Sequence, residues 1–208
     1  MMSVFGALLL VGPASAQDLE LPAASPRAEV MQHVGVVDVT VNYSSPGVKD
    51  RPIWGELVPY DAIWRTGANS ATTFETTGDL TVGGAAVPAG KYAVFSIPGK
   101  DEWTLILNKG AAQWGAFEYD KTLDVVQVKV APTAGPDRER MTFLFSDTDE
   151  DSTSLDLEWA GVHVSLPIAV EVPSAFDPLY AGIDLVAITA EPRVDVALVV
   201  ASEDDGAV

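Results

Sequence analysis

The sequence predicts an all-β protein: an antiparallel β-sandwich or flattened barrel with a long structured loop and a C-terminal appendage. Three observations predict it. Apolar and polar residues alternate with a period of two in segment after segment, Gly and Pro signals punctuate those segments at short intervals, and no stretch sustains a helical period.

The clearest segment sets Val37, Val39, Val41 and Tyr43 against Asp38, Thr40 and Asn42, the pattern of a half-buried strand with one wet face. The same alternation marks residues 72–76, 92–97, 103–108, 125–130, 141–146 and 155–159. Between them, Gly83-Gly84 suits a hairpin, Pro88-Ala89-Gly90 a tight turn and Pro98-Gly99-Lys100-Asp101 a loop. Ala160-Gly161 suits a short reversal into residues 162–166. Many short strands with such turns point to packed antiparallel sheets. Two regions break the pattern. From Ser44 to Ala71 the chain mixes Pro46, Pro52, Pro59, Gly47, Gly55 and Gly67 with Trp54, Tyr60 and Trp64, an ordered excursion of the kind that carries function. After Ile168 comes an acidic extension with Pro173, Pro178 and Pro192, ending in Glu203-Asp204-Asp205.

Three divisions follow: a leader over 1–16, a β-sandwich domain over 17–168 and the extension over 169–208. The leader reading rests on the apolar run from Val4 to Val11, then Gly12-Pro13 and the small residues Ala14-Ser15-Ala16, with cleavage expected before Gln17. That run is shorter than the roughly 20 residues a membrane-spanning helix needs. A periplasmic or extracellular location is therefore expected, with no transmembrane segment. The chain has no Cys, which rules out disulfides, thiolate metal sites and a Cys nucleophile. Thirty acids against twelve Lys and Arg give a net charge of -18, a field that repels nucleic acid and anionic lipid. No nucleic-acid partner is expected. The partner expected is a small molecule or another envelope component.

The densest chemistry lies in Trp64-Arg65-Thr66-Gly67-Ala68-Asn69. As a ligand site, Arg65 offers a planar fork of donors, Asn69 a carboxamide, and Trp64 or Trp54 a stacking face. As a structural device, Arg65 ties loop carbonyls or pairs with Asp61, Gly67 takes a positive φ, and the tryptophans plug one end of the sandwich. Lys91, Tyr92, Lys109, Trp114 and Tyr119 form a second polar-aromatic set, and Trp114 beside Trp54 would build an aromatic-lined cleft with Arg65 and Lys109 as cations and Tyr60 as a further ligand candidate. Trp103 and Trp159 fall on apolar strand phases and read as core.

Several ordered motifs recur together: Ser25-Pro26, V-T-V-N-Y-S over 39–44, Leu57-Val58-Pro59-Tyr60 and the W-R-T-G-A-N run. They continue with V-P-A-G-K-Y-A-V-F-S-I-P over 87–98, W-T-L-I-L-N-K over 103–109 and Q-W-G-A-F over 113–117. With these motifs the chain resembles the bacterial family catalogued as domain of unknown function 2911, over about residues 24–168. The resemblance implies an exported, β-rich domain with no established biochemical activity. It carries over no catalytic residues.

One metal pattern is present. Asp147, Asp149, Asp151 and Glu158 match the carboxylate spacing of a calcium loop, but Ser152 stands where the turn needs glycine and the flanks alternate like strands. An acidic hairpin is the better reading, and no metal is expected. His33 and His163 are the only histidines, and His163 reads as an exposed strand residue. There is no nucleophile elbow, metalloprotease helix, phosphate loop or dinucleotide fingerprint, so no cofactor is expected. The function expected is a binding or accessory module for a small polar or sugar-like ligand. Two alternatives are a hydrolase using loop carboxylates such as Glu56, Asp61, Glu75 or Glu118 at one end of the sandwich, and a structural envelope protein.

Overall fold

The computed structural model describes residues 21–172; the expected leader over 1–16, the expected cleavage before Gln17 and the expected extension from residue 173 onward lie outside them. Among the described residues twelve strands form two antiparallel sheets: β1 (Arg27–Val34), β2 (Val37–Ser44), β3 (Thr72–Thr76), β4 (Leu80–Val82), β5 (Ala85–Val87), β6 (Gly90–Ile97), β7 (Trp103–Asn108), β8 (Asp124–Val130), β9 (Thr133–Ala134), β10 (Thr142–Ser146), β11 (Ser152–Trp159) and β12 (Val162–Ala169). The first sheet runs β1-β2-β3-β6-β7-β8 and the second β10-β11-β12-β4-β5, with β9 also paired to β12. The sheets face each other as a sandwich and do not close into a barrel, so the flattened-barrel alternative is set aside.

Alternation does the sorting. In β2, Val37, Val39, Val41 and Tyr43 are buried between the sheets, while Asp38, Thr40 and Asn42 stand on the outer face. Gly83 and Gly84 both take positive φ, the geometry of a hairpin turn that matches strand twist, and they join β4 to β5. That hairpin leaves the first sheet after β3 and joins the second, and Asp79 Oδ1 accepts from Ala89 N at 2.7 Å where the two crossings meet. β12 continues past Ile168 to Ala169, and Val170 is buried in the main core.

One end of the interlayer core is packed with indoles. Trp103 comes from β7 of the first sheet and Trp159 from β11 of the second. Trp54 and Trp64, from the excursion between β2 and β3, wedge between them, with ring centroids 5.0 Å (Trp54–Trp103), 5.7 Å (Trp54–Trp159) and 6.1 Å (Trp64–Trp159). Most of these pairs meet edge to face, the arrangement the ring quadrupoles favour. A second, smaller core lies on the outer face of the first sheet. There Ala71, Ala93, Phe95 and Ile106 are buried under Ala116 and Tyr119 of the segment between β7 and β8.

Removing the Trp64 indole opens a void between two sheets that cannot collapse independently. Trp64→Ala is expected to lower unfolding free energy by about 3–5 kcal/mol in urea titration. A loss below about 1 kcal/mol would mean that the indole cluster does not hold the layers together.

Candidate functional site

The Trp64 to Asn69 run is a tied knot of backbone. Trp64 N donates to Ser96 O and Ser96 N to Trp64 O, both at 2.8 Å, so Trp64 prolongs the first sheet beside β6 beyond the start of β3. Its indole Nε1 donates to Gly67 O at 3.1 Å. Thr66 Oγ1 donates to Ser96 Oγ at 3.0 Å, and Thr72 Oγ1 donates to Thr66 O at 2.7 Å. Gly67 is needed for close approach: a Cβ there would stand 2.8 Å from Thr72 Oγ1. The positive φ expected at Gly67 falls instead on Thr66 and Asn69.

Register decides Arg65. With Trp64 and Ser96 on the inner face, Arg65 stands opposite Phe95, whose side chain belongs to the outer core. Arg65 is half-buried, its Nε is sealed from water with no partner, and no ion pair with Asp61 forms. Burial lowers the affinity of the guanidinium for its proton below the ordinary value.

Beyond the knot the chain pairs with the segment after β7. Ala71 N donates to Gln113 O at 3.1 Å and Gly115 N to Asn69 O at 3.1 Å, a short ribbon in which Ser70 faces Trp114. Asn108, fully buried at the end of β7, launches that segment. Its Nδ2 donates to Asp120 O at 2.9 Å and Asp124 Oδ1 at 2.7 Å, while its Oδ1 accepts from Gly110 N at 2.8 Å.

This ribbon forms one wall of a cleft of about 820 Å³ on the outer face of the first sheet. The polar groups Asn42, Asn69, Thr73 and Gln113 line it, with Arg27 and Lys91 as cations and Trp114 at 63% exposure. The opposite wall is the strand leading into β1, held by Asn69 Nδ2 donating to Ser25 O at 3.4 Å and Arg140 Nη1 donating to Ala24 O at 2.9 Å. No Asp or Glu lines it.

Of the residues singled out in the sequence, the cleft gathers Asn69, Lys91 and Trp114. Trp64 is in the indole cluster, and Arg65 and Lys109 are absent from the lining. Trp54 and Tyr60 border a separate recess of about 250 Å³ with Lys100 and Trp103. A single cleft uniting Trp54, Trp64 and Trp114 does not form, because interlayer packing claims the first two indoles. Arg27, Asn42 and Thr73 went unmarked, since only strand pairing brings them together: Arg27 faces Ser44, and Asn42 faces Thr73.

The acidic turn holding Asp147, Asp149 and Asp151 joins β10 to β11, whereas Glu158 sits near the far end of β11 and pairs with Arg138. The four carboxylates do not converge, and no cluster suited to a metal ion occurs among the described residues. His163 does lie on the outer face, yet it is half-buried, with Nδ1 3.5 Å from Glu158 Oε1 and Nε2 3.9 Å from Asp156 Oδ1. The cross-strand pairing of Glu158 with His163 produces that cover.

A family model described as "Protein of unknown function (DUF2911)" matches residues 25–168, and the chain belongs to that family. No curated protein and no solved structure matches it. No helix among the described residues is long and apolar enough to cross a membrane.

The segment carrying Trp114 has a pH signature. Tyr119 stacks edge-on against Phe95 and donates to Asp124 Oδ2 at 2.8 Å. Burial, followed by that hydrogen bond and the charges of Asp124 and Asp120, pushes the phenol well above its ordinary value of 10.0. A folded-state value above the unfolded one means the folded protein holds the proton more tightly. The contribution is therefore complete below about pH 10 and declines as pH rises further. Denaturation titrations from about pH 9 to about pH 11 should show falling stability, with a shallower fall in Tyr119→Phe. Tyr43 and Tyr92, also raised chiefly by burial, act in the same direction and keep some slope in the variant. An unchanged slope in the variant would contradict this.

Proposed function

We propose that this member of the DUF2911 family is an exported binding module whose cleft at Asn69, Gln113 and Trp114 holds a small, polar, sugar-like ligand. One observation carries the reading. In a chain with thirty acids, this cleft of about 820 Å³ has no carboxylate in its lining and presents a largely exposed indole beside a row of carboxamides and hydroxyls. An indole face covers the apolar C–H side of a sugar ring, and amides exchange hydrogen bonds with its hydroxyls. The cleft volume falls within the roughly 300–1,000 Å³ typical of ligand sites. The leader-like stretch from Val4 to Ala16 supports export.

A hydrolase reading needs two carboxylates across the cleft. Glu75 is bound to Lys91 at 3.0 Å, and no acid lines the cleft to form such a pair.

The test is a calorimetric and thermal-shift screen of the purified protein against oligosaccharides. Saccharides that bind the wild type should bind Trp114→Ala about tenfold or more weakly, the usual cost of losing an aromatic anchor. Arg65→Ala should lower the melting temperature while leaving affinity unchanged, because Arg65 is half-buried opposite Phe95 and outside the lining. Binding that survives loss of the Trp114 indole but disappears with Arg65 would overturn the reading.

A further inference from the structure

We propose that the ligand of this cleft is an anionic saccharide, a sugar carrying a carboxylate or sulfate, and that Arg27 receives the charged group. The proposal rests on the reading that the cleft binds a saccharide. Acids outnumber Lys and Arg thirty to twelve over the whole chain, yet the cleft lining reverses that balance with two cations and no acid. The two cations differ in what already engages them. Lys91 Nζ is 3.0 Å from Glu75 Oε2, so its charge is balanced locally. Arg27 has no carboxylate partner among the described residues. It stands at the start of β1 opposite Ser44, on the face that also carries Asn42, and a guanidinium fork there suits the paired oxygens of a carboxylate or sulfate. Glu29, two residues along β1 on the same face, lies outside the lining.

The neutral polar side chains that share the lining with Arg27, among them Asn42, Asn69 and Thr73, favour a polyhydroxylated ligand over a bare anion. The backbone beside Arg27 is also braced. Ser45 N donates to Pro26 O at 2.8 Å, and Arg140 Nη1 bridges Ala24 O at 2.9 Å and Ser45 O at 3.2 Å. The cation is thus presented from a tied wall, which lowers the ordering cost on binding.

The experiment compares three trisaccharides by calorimetry at low and raised salt: trigalacturonate, a neutral galactotriose and its sulfated form. Acidic members should bind about tenfold or more tightly than the neutral one. Raised salt and Arg27→Gln should each erase that advantage, with Arg27→Lys restoring part of it and all variants keeping wild-type melting temperatures. Preference for trigalacturonate assigns a carboxylate, and preference for the sulfated sugar a sulfate. Equal affinity for neutral and acidic members, indifferent to Arg27→Gln but weakened by Trp114→Ala, overturns the anionic assignment and leaves the saccharide reading standing. Failure of all three to bind overturns both.

Discussion

The indole packing between the sheets is the interaction on which the rest depends. Trp103 and Trp159 belong to opposite layers, and Trp54 and Trp64 enter from one excursion to fill the space between them. A loop of that length would otherwise cost considerable ordering entropy. Here it is fixed because two of its large apolar side chains are part of the core. Once Trp64 is seated, its backbone pairs with Ser96, Thr66 meets Ser96 and Thr72, and Gly67 fits beneath Thr72 Oγ1.

The cleft inherits its shape from that chain of constraints. Asn69, at positive φ, directs its carbonyl to Gly115, and Ala71 pairs with Gln113, which sets Trp114 beside the outer face of the first sheet. From the other side, Asn108 and Tyr119 tie the same segment to Asp120 and Asp124. The exposed indole is therefore held between two anchored ends. Such preorganisation favours binding, since little freedom is left to lose.

Much of the sandwich was legible because alternation is a local property. The segments around Val37, Thr72, Trp103 and Leu155 read as strands and are strands, and Gly83-Gly84 and Ala160-Gly161 form the turns their composition suggests. β1 was harder: Arg27, Glu29 and Met31 alternate against Ala28 and Val30, a weak contrast on an edge strand. The candidate site was legible only in part. Trp114 and Asn69 carried a signal through their residue type, but Trp54 and Trp64 carry the same signal and serve the core. Composition cannot separate a stacking platform from a plug, because both need a large flat apolar surface. Arg27, Asn42 and Thr73 meet through pairing between distant strands, and no spacing along the chain encodes that.

The most direct measurement is acrylamide quenching of intrinsic fluorescence with and without saturating trigalacturonate. Of the five tryptophans, Trp64, Trp103 and Trp159 are buried, Trp54 is half-buried and Trp114 is largely exposed. The account predicts one readily quenched component that is absent in Trp114→Phe and becomes protected when the sugar binds. Quenching that persists in Trp114→Phe, or that the bound sugar leaves unchanged, would contradict it.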